Sequence, residues 1–405
     1  MQTLSHWIGF RHRCLQGQKA NPETFELAIA SAILLGDRRM IVAVSPKEGI
    51  LHQKMEASRC GALTSRKECI RKMTGSGKSV TSSLACLALA IHAFGLGMAP
   101  QALAFTAYVS NEKGNSISII DTDKLQVTKT VPVGHRPRGI VLNKDGSELY
   151  ICAGDDDLIQ ILDTRTLSIT GSLPSGPDPE LLILSPDGRL LYISNENDNM
   201  VTAIDVMTRK QVAEIPVGVE PEGMGLSPDG KVLVNTSETT NMAHLINTQT
   251  HEIFANVLVD ARPRAAQYSP DGSELWVSSE VGGTVSVIDA THPEVKQKIA
   301  FEIPGLTKET IQPVGVRFSP DGKRAFVALG PANRVAVIET STKRVEKYLL
   351  VGQRVWQLAF TPDAKYLYAT NGVSNDVSVV DVASLKVVKS IPVGSFPWGV
   401  AIANH

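Results

Sequence analysis

The tetrapeptide Ser-Pro-Asp-Gly occurs four times, at Ser185, Ser227, Ser269 and Ser319, with the variants NKDG at Asn143 and TPDA at Thr361. An acidic or amide residue that closes an apolar alternating run recurs beside them as Asp121, Asp163, Asp205, Asn247, Asp289, Glu339 and Asp381. The intervals between these marks are 42, 42, 42, 42, 50 and 42 residues. A repeat of this length is one supersecondary unit that cannot bury its own apolar face and must stack on its neighbours.

Each unit reads as four short strands. Pro presets φ, Asp bonds back to its own backbone and Gly takes φ > 0, so Pro-Asp-Gly makes a tight turn. The flanking runs, such as LLYIS and MVTAID, alternate and are rich in Val, Ile and Tyr, as half-buried strands are. Four strands per unit at this period predict an all-β, seven-bladed β-propeller of four-stranded antiparallel blades over 105–405. The segment FTAYVSN at residue 105 reads as the second strand of a blade, and the final PVGSFPWGVAIAN as the first strand of one. Together they would complete one blade and close the ring, removing the open edges that invite aggregation.

The residues before the repeats read differently. Residues 73–104 have a basic start at Lys78, an apolar run from about Leu84 to Met98 and the small residues Ala102 and Ala104. This predicts a secretory signal cleaved between Ala104 and Phe105, and a periplasmic location. The apolar run is shorter than the roughly 20 residues of a membrane span, so no stable span is expected after the signal is removed. Residues 1–72 then read as an over-long start, with Met73 the initiator, or as a disordered extension. The formal net charge is −1, which argues against a nucleic-acid partner.

Units such as AYVSNEKGNSISIIDTDKLQVTKTVPVG resemble the YVTN-type β-propeller repeat, and the resemblance covers essentially all of 105–405. The irregular strings SGPDPE, NTSETTNMAHLINT, ALGPANRVAVIET and LLVGQRVWQLAFTPD are similar to the PQQ-dependent catabolism-associated β-propeller proteins. That resemblance implies a periplasmic protein working beside pyrroloquinoline-quinone (PQQ) dehydrogenases of alcohol oxidation, or their cytochrome, without a catalytic activity of its own. The leading residues 1–72 depart from the family's pattern.

Function is expected on one face. With the four strands of a unit labelled A to D from the channel outward, the A–B and C–D turns are short and uniform, whereas the B–C and D–A loops of the opposite face differ between units. Aligning the D–A loops gives an inner column of Arg138, Glu180, Glu222, Arg264, Val314, Trp356 and Trp398. Two residues earlier stand Arg136, Asp178, Glu220, Arg262, Gln312, Arg354 and Phe396. Positions two apart on a strand share a side, which predicts two rings at the mouth of the central channel. The rings are sorted into basic, acidic and aromatic sectors. Such a wall suits a ligand or a cation, whereas ordinary surface ion pairs between blades would be worth only about 0–1 kcal/mol each. The B–C loops place Glu112, Glu196, Glu238 and Glu280 in one column, with Asp155, Asp156 and Asp157 in another blade's loop. These are expected further out, as a solvated acidic rim. The extra eight residues of the long unit fall in EIPGLTKETIQPVG, on the same face.

No catalytic constellation accompanies this. The GSGKS at Gly75 lacks the first glycine of a phosphate loop, and C-x-x-C-H, H-E-x-x-H and G-x-S-x-G are absent. His135 near Arg136 reads as a solvated loop histidine. The leading expectation is a non-catalytic binding or scaffold protein of PQQ-dependent alcohol oxidation. Two alternatives stay open. One is a carrier in which Arg136, Arg138, Arg262, Arg264 and Arg354 hold a small anionic ligand such as PQQ, with Trp356 or Trp398 stacking on it. The other is a propeller enzyme, lactonase-like with a divalent cation or haem-dependent. No cofactor or metal is required by the sequence.

Overall fold

A computed structural model describes residues 41–44, 51–54 and 105–404. The first two stretches, Ile41–Val44 and Leu51–Lys54, pair as an antiparallel hairpin. The signal expected over 73–104 lies outside the described residues, as does all of 1–72 except that hairpin. Among the described residues no helix is long and apolar enough to cross a membrane.

Residues from Phe105 onward form seven four-stranded antiparallel sheets. Blade 1 joins Pro397–Asn404 from the C-terminus to Phe105–Asn111, Ser116–Asp121 and Gln126–Pro132. Blades 2 to 5 begin at Pro137, Pro179, Pro221 and Pro263, blade 6 at Val316 and blade 7 at Val355. Strands within each blade are called A to D from the channel outward. The ring is therefore a closed seven-bladed propeller sealed by its two ends, with Phe105 opposite Asn404 and Val109 opposite Val400.

Strands B and C are buried along nearly their whole length, while strand D alternates with most side chains outward. One strand B position carries Tyr108, Tyr150, Tyr192, Trp276, Phe326 and Tyr368, all buried. These large rings fill the wedge between neighbouring sheets. The apolar clusters accordingly run from blade to blade, as where Trp276 and Val287 of blade 5 meet Phe318 and Val327 of blade 6. At about 25 cal/mol per Å² of apolar surface, these seams hold the ring together. The seventh member of the column is Val234, which has the same role at smaller volume.

The Pro-Asp-Gly turns close as their chemistry requires. Ser185 Oγ donates to Asp187 Oδ1 at 2.5 Å, and Gly188 adopts φ of 79°. The extra eight residues of the long unit lie within 301–315. Phe301 and Ile311 are buried and Ile303 and Leu306 pack on the blade 5–6 core, so its apolar side chains anchor it.

Candidate functional site: the axial mouth

Two local devices aim the side chains at the mouth, and neither is the simple strand alternation expected from sequence. The first is a β-bulge at the start of strand A. In blade 3, Pro179 pairs with Asn195 and Leu182 with Ile193, so Glu180 and Leu181 together face Ser194. The same shift occurs around Arg138, Glu222, Arg264, Trp356 and Trp398. A bulge bends the strand and re-aims its side chain. A hydroxyl stands opposite most bulges and accepts the freed N–H: Ser110 from Gly399 at 2.8 Å, Thr236 from Gly223 at 2.9 Å, Ser278 from Ala265 at 3.0 Å and Thr370 from Gln357 at 3.1 Å. Four of these positions also donate to the inner-ring carbonyl of the next blade: Ser110 to Arg138, Ser194 to Glu222, Ser278 to Val314 and Thr370 to Trp398.

The second device shapes the outer ring. Arg136, Asp178, Glu220, Arg262, Arg354 and Phe396 all have φ between 50° and 58°, a left-handed conformation uncommon for such residues. Each N–H is received by a B–C loop side chain: Asn115 for Arg136, Asp157 for Asp178, Asn199 for Glu220, Asn241 for Arg262, Asn333 for Arg354 and Asn375 for Phe396. Blade 5 has Gly283 in this column, and there the following D–A loop is the long one.

Together these devices bring both rings into one charged assembly. Arg136 contacts Asp155 and Glu180 at 2.7 and 2.9 Å and also pairs with Asp178; Arg138 pairs with Glu180. Arg262 bridges Glu238 at 2.8 Å and Glu280 at 3.1 Å. Arg264 holds Glu222 at 3.0 Å and also pairs with Glu238, and Arg354 holds Glu280 at 2.6 Å and Gln312 at 2.7 Å. Trp356 lies 4.1 Å from Arg354 and Trp398 4.9 Å from Arg138, with the two indoles 6.4 Å apart. Phe396 sits at the edge under Lys113, and Glu220 accepts from Thr239 at 2.5 Å.

The structure corrects the reading of Glu196, Glu238 and Glu280 as an outer, solvated rim. Glu238 and Glu280 are buried and Glu196 is half-buried, and all three turn inward to the rings. Their N–H groups bond the outer-ring carbonyls of Glu220, Arg262 and Asp178 in turn, which draws these loops over the mouth. The same column has glycine where a carboxylate would collide. A Cβ on Gly372 would stand 2.6 Å from Trp356 Nε1, and one on Gly154 2.5 Å from the Arg136 guanidinium. Glu112 reaches Arg138 only at 3.9 Å. Asp156 stays at the edge, where it accepts the His135 ring at 2.7 Å and raises the pKa of that exposed histidine.

Burial governs the titration of this assembly. It opposes ionisation of Glu180 and Glu280, but Arg138 and Arg136 in one case and Arg264 and Arg354 in the other outweigh it and keep both carboxyls low. Burial wins at Glu222 and Glu238, which are raised. Glu196 is pushed up to about 7 by burial and then by the charge of Glu180, with which it shares a hydrogen bond.

A cavity of about 320 Å³ opens within this assembly. Its lining includes Glu196, Glu222, Arg262, Arg264, Arg354 and Trp356. Asp178, Glu180 and Glu196 offer carboxylate oxygens within 4.8 Å of one another. Arg136 and Arg138 already occupy the first two, which makes the trio a poor metal cage.

A propeller with a differentiated axial mouth is the class that fold and site define. The family described as "Lactonase, 7-bladed beta-propeller" matches residues 247–387, about a third of the chain. Among solved structures, hydrazine synthase of Kuenenia stuttgartiensis is similar at 22% identity and a TM-score of 0.63, over 69% of this chain and 92% of that one. A functionally unknown protein of Desulfotomaculum acetoxidans aligns at 16% identity and a TM-score of 0.63, over 74% and 99% of the two chains. The dihydro-heme d1 dehydrogenase NirN aligns at 16% identity and a TM-score of 0.58, over 76% and 77%. These likenesses establish the propeller fold. A search of curated proteins finds no match.

Proposed function

We propose that the chain is an exported, periplasmic, non-catalytic binding propeller that serves PQQ-dependent alcohol oxidation and engages its ligand or partner at the axial mouth. The observation that carries this reading is the 320 Å³ cavity. Bulges, left-handed turns and hydroxyl bridges on successive blades fix its walls, so the binding groups are held in place before any ligand arrives. A preformed concave site with a few convergent polar groups is the usual form of a ligand pocket, and preorganisation reduces the cost of binding. The link to PQQ-dependent oxidation rests on the irregular strings of the sequence. Capture from periplasm of alcohol-grown cells tests it, with the chain from Phe105 onward as bait. A PQQ dehydrogenase or its cytochrome should be retained by the native mouth and lost with Trp356→Ala. Retention of neither under alcohol or other growth would remove the assignment.

A second reading, a lactonase-type hydrolase, is favoured by the family match and by Glu196. A cavity carboxyl titrating near neutrality is suited to take a proton from water. A panel of lactones assayed with and without added Ca²⁺ tests it. Hydrolysis that disappears in Glu196→Gln would support it, and no turnover with any of them would discard it.

A further inference from the structure

The charges of the mouth are unevenly answered. Every arginine in the cavity wall already holds a carboxylate: Arg262 bridges Glu238 and Glu280, Arg264 holds Glu222, and Arg354 holds Glu280. Arg138, also on the wall, holds the buried Glu180. An entering anion would have to displace a protein carboxylate from each of them. Among the described residues, Glu196 is the one carboxyl of the cavity wall with no basic side chain in an ion pair. The charged groups around it are Asp178 and Glu180 of its own blade, whose carboxylate oxygens lie within 4.8 Å of its own, Arg138 of the preceding blade and Glu238 of the following one. Three of those four are acids, and Arg138 is committed to Glu180.

Resting on the reading of the mouth as a binding site, we propose that its ligand enters through a positively charged nitrogen, an ammonium or guanidinium group, which Glu196 receives. Charge decides the sign: the unanswered group is a carboxylate, and a cation beside it also relieves its repulsion with Glu180. Shape decides against a bare metal ion. Glu196 is a single free carboxylate, whereas a hard cation takes six or more oxygens. The cavity, at 320 Å³ with an indole wall from Trp356, leaves room for the apolar stem of an organic cation. Such a group is carried by a free amine or by a lysine or arginine side chain of a partner protein, and the two sources share this chemistry.

The test is calorimetry on the chain from Phe105 onward, with n-butylammonium, a blocked lysine tripeptide and succinate as probes at constant ionic strength. One or both cations should bind, and succinate should not. Binding of the free amine points to a small-molecule ligand, and binding of the peptide alone to a partner's side chain. Because Glu196 must shed its proton, affinity should be about tenfold higher at pH 8 than at pH 6, with protons released to the buffer. Glu196→Gln should lower affinity by about tenfold or more and abolish the pH dependence. Glu196→Asp, which keeps the charge, should bind with its pH dependence intact and controls for folding. Succinate binding that needs Arg262, without cation binding, would overturn the charge class and leave the mouth a binding site. No heat from any probe, together with an unchanged Trp356 environment in their presence, would overturn this inference and the binding reading with it. Cation binding that survives Glu196→Gln unchanged would overturn the role of Glu196 alone among the walls.

Discussion

Ser194 Oγ donates a 2.7 Å hydrogen bond to the backbone carbonyl of Glu222, one blade further round the ring. The same oxygen accepts the N–H of Leu181 at 3.1 Å, which the bulge has freed from the strand ladder. One hydroxyl thus satisfies a bulge in its own blade and fixes the inner-ring residue of the next. Replacing it with alanine leaves a buried donor and a buried acceptor without partners. Ser194→Ala should therefore destabilise by about 1–3 kcal/mol, read from urea denaturation midpoints. Cys152 is the thiol in this column, opposite the bulge at Arg138. A thiol is a weak donor, so Cys152→Ser should be neutral or stabilising by up to about 1 kcal/mol.

Asn333 Oδ1 receives the N–H of Arg354 at 2.9 Å while Asn333 itself sits at φ of 55°. Alanine there loses the hydrogen bond and pays for the left-handed backbone. Asn333→Ala should cost about 2 kcal/mol, and Asn333→Gly, which relieves the backbone, about 1 kcal/mol. Measured by denaturant titration, the difference between the two isolates the left-handed backbone, and the loss that remains in Asn333→Gly reports the bond. Both variants should also loosen Arg354 and the Trp356 face beneath it, visible as a change in tryptophan fluorescence.

The propeller was legible in the sequence because its two signals are local. SPDG needs only its own turn, and the tyrosine of LLYIS needs only a neighbouring blade that repeats the pattern. The sealing of the ring by Phe105–Asn111 and the last strand also followed, since each end lacks what the other has. The membership of the two rings was legible from spacing. Their geometry was not, because a bulge and a left-handed turn leave no trace in a count of residues. Glu196, Glu238 and Glu280 were misread as an outer rim for a related reason. Their inward turn depends on backbone bonds to Asp178, Glu220 and Arg262, which lie in a different loop. Their column did carry a signal. It holds only Glu or Gly, and Gly154 and Gly372 stand where Arg136 and Trp356 need room. A solvated rim has no reason to exclude a Cβ.

Glu180 is fully buried and is shared by Arg136 and Arg138. Removing it leaves the buried Arg138 with no partner nearer than Glu112 at 3.9 Å, while Arg136 keeps Asp155 and Asp178, in a region that burial has already made costly for charge. Glu180→Ala should destabilise by about 3–5 kcal/mol, more than any ring residue at the exposed edge. Glu112→Ala, whose contact with Arg138 is 3.9 Å, should change stability by about 1 kcal/mol or less. Equilibrium unfolding of the two variants side by side checks this ranking. A similar cost for both would mean that the mouth is wetter than its packing indicates.

The pH dependence of stability should fall on both sides of a mildly acidic optimum. The turn aspartates Asp187, Asp271 and Asp321 are held below their ordinary values, first by the hydroxyls of Ser185, Ser269 and Ser319. A depressed carboxyl contributes stability above its unfolded pKa and loses it as pH drops through the folded one, so these turns weaken in acid below about pH 4. The mouth works the other way. Glu196 rises from 4.5 to about 7, chiefly through burial, and Glu222 and Glu238 are raised for the same leading reason. A raised carboxyl gives its full contribution below its unfolded pKa and loses it as pH climbs through the folded one. Stability should therefore decline between about pH 4.5 and about pH 7. For Glu196 alone the decline is on the order of 1 kcal/mol once solvent screening of this half-buried group is allowed for. Glu196→Gln cannot ionise, so its thermal midpoint should fall less steeply across that interval than that of the native chain, while the acid limb stays where it is. Parallel alkaline limbs for the two proteins would show that Glu196 titrates as an ordinary surface carboxylate.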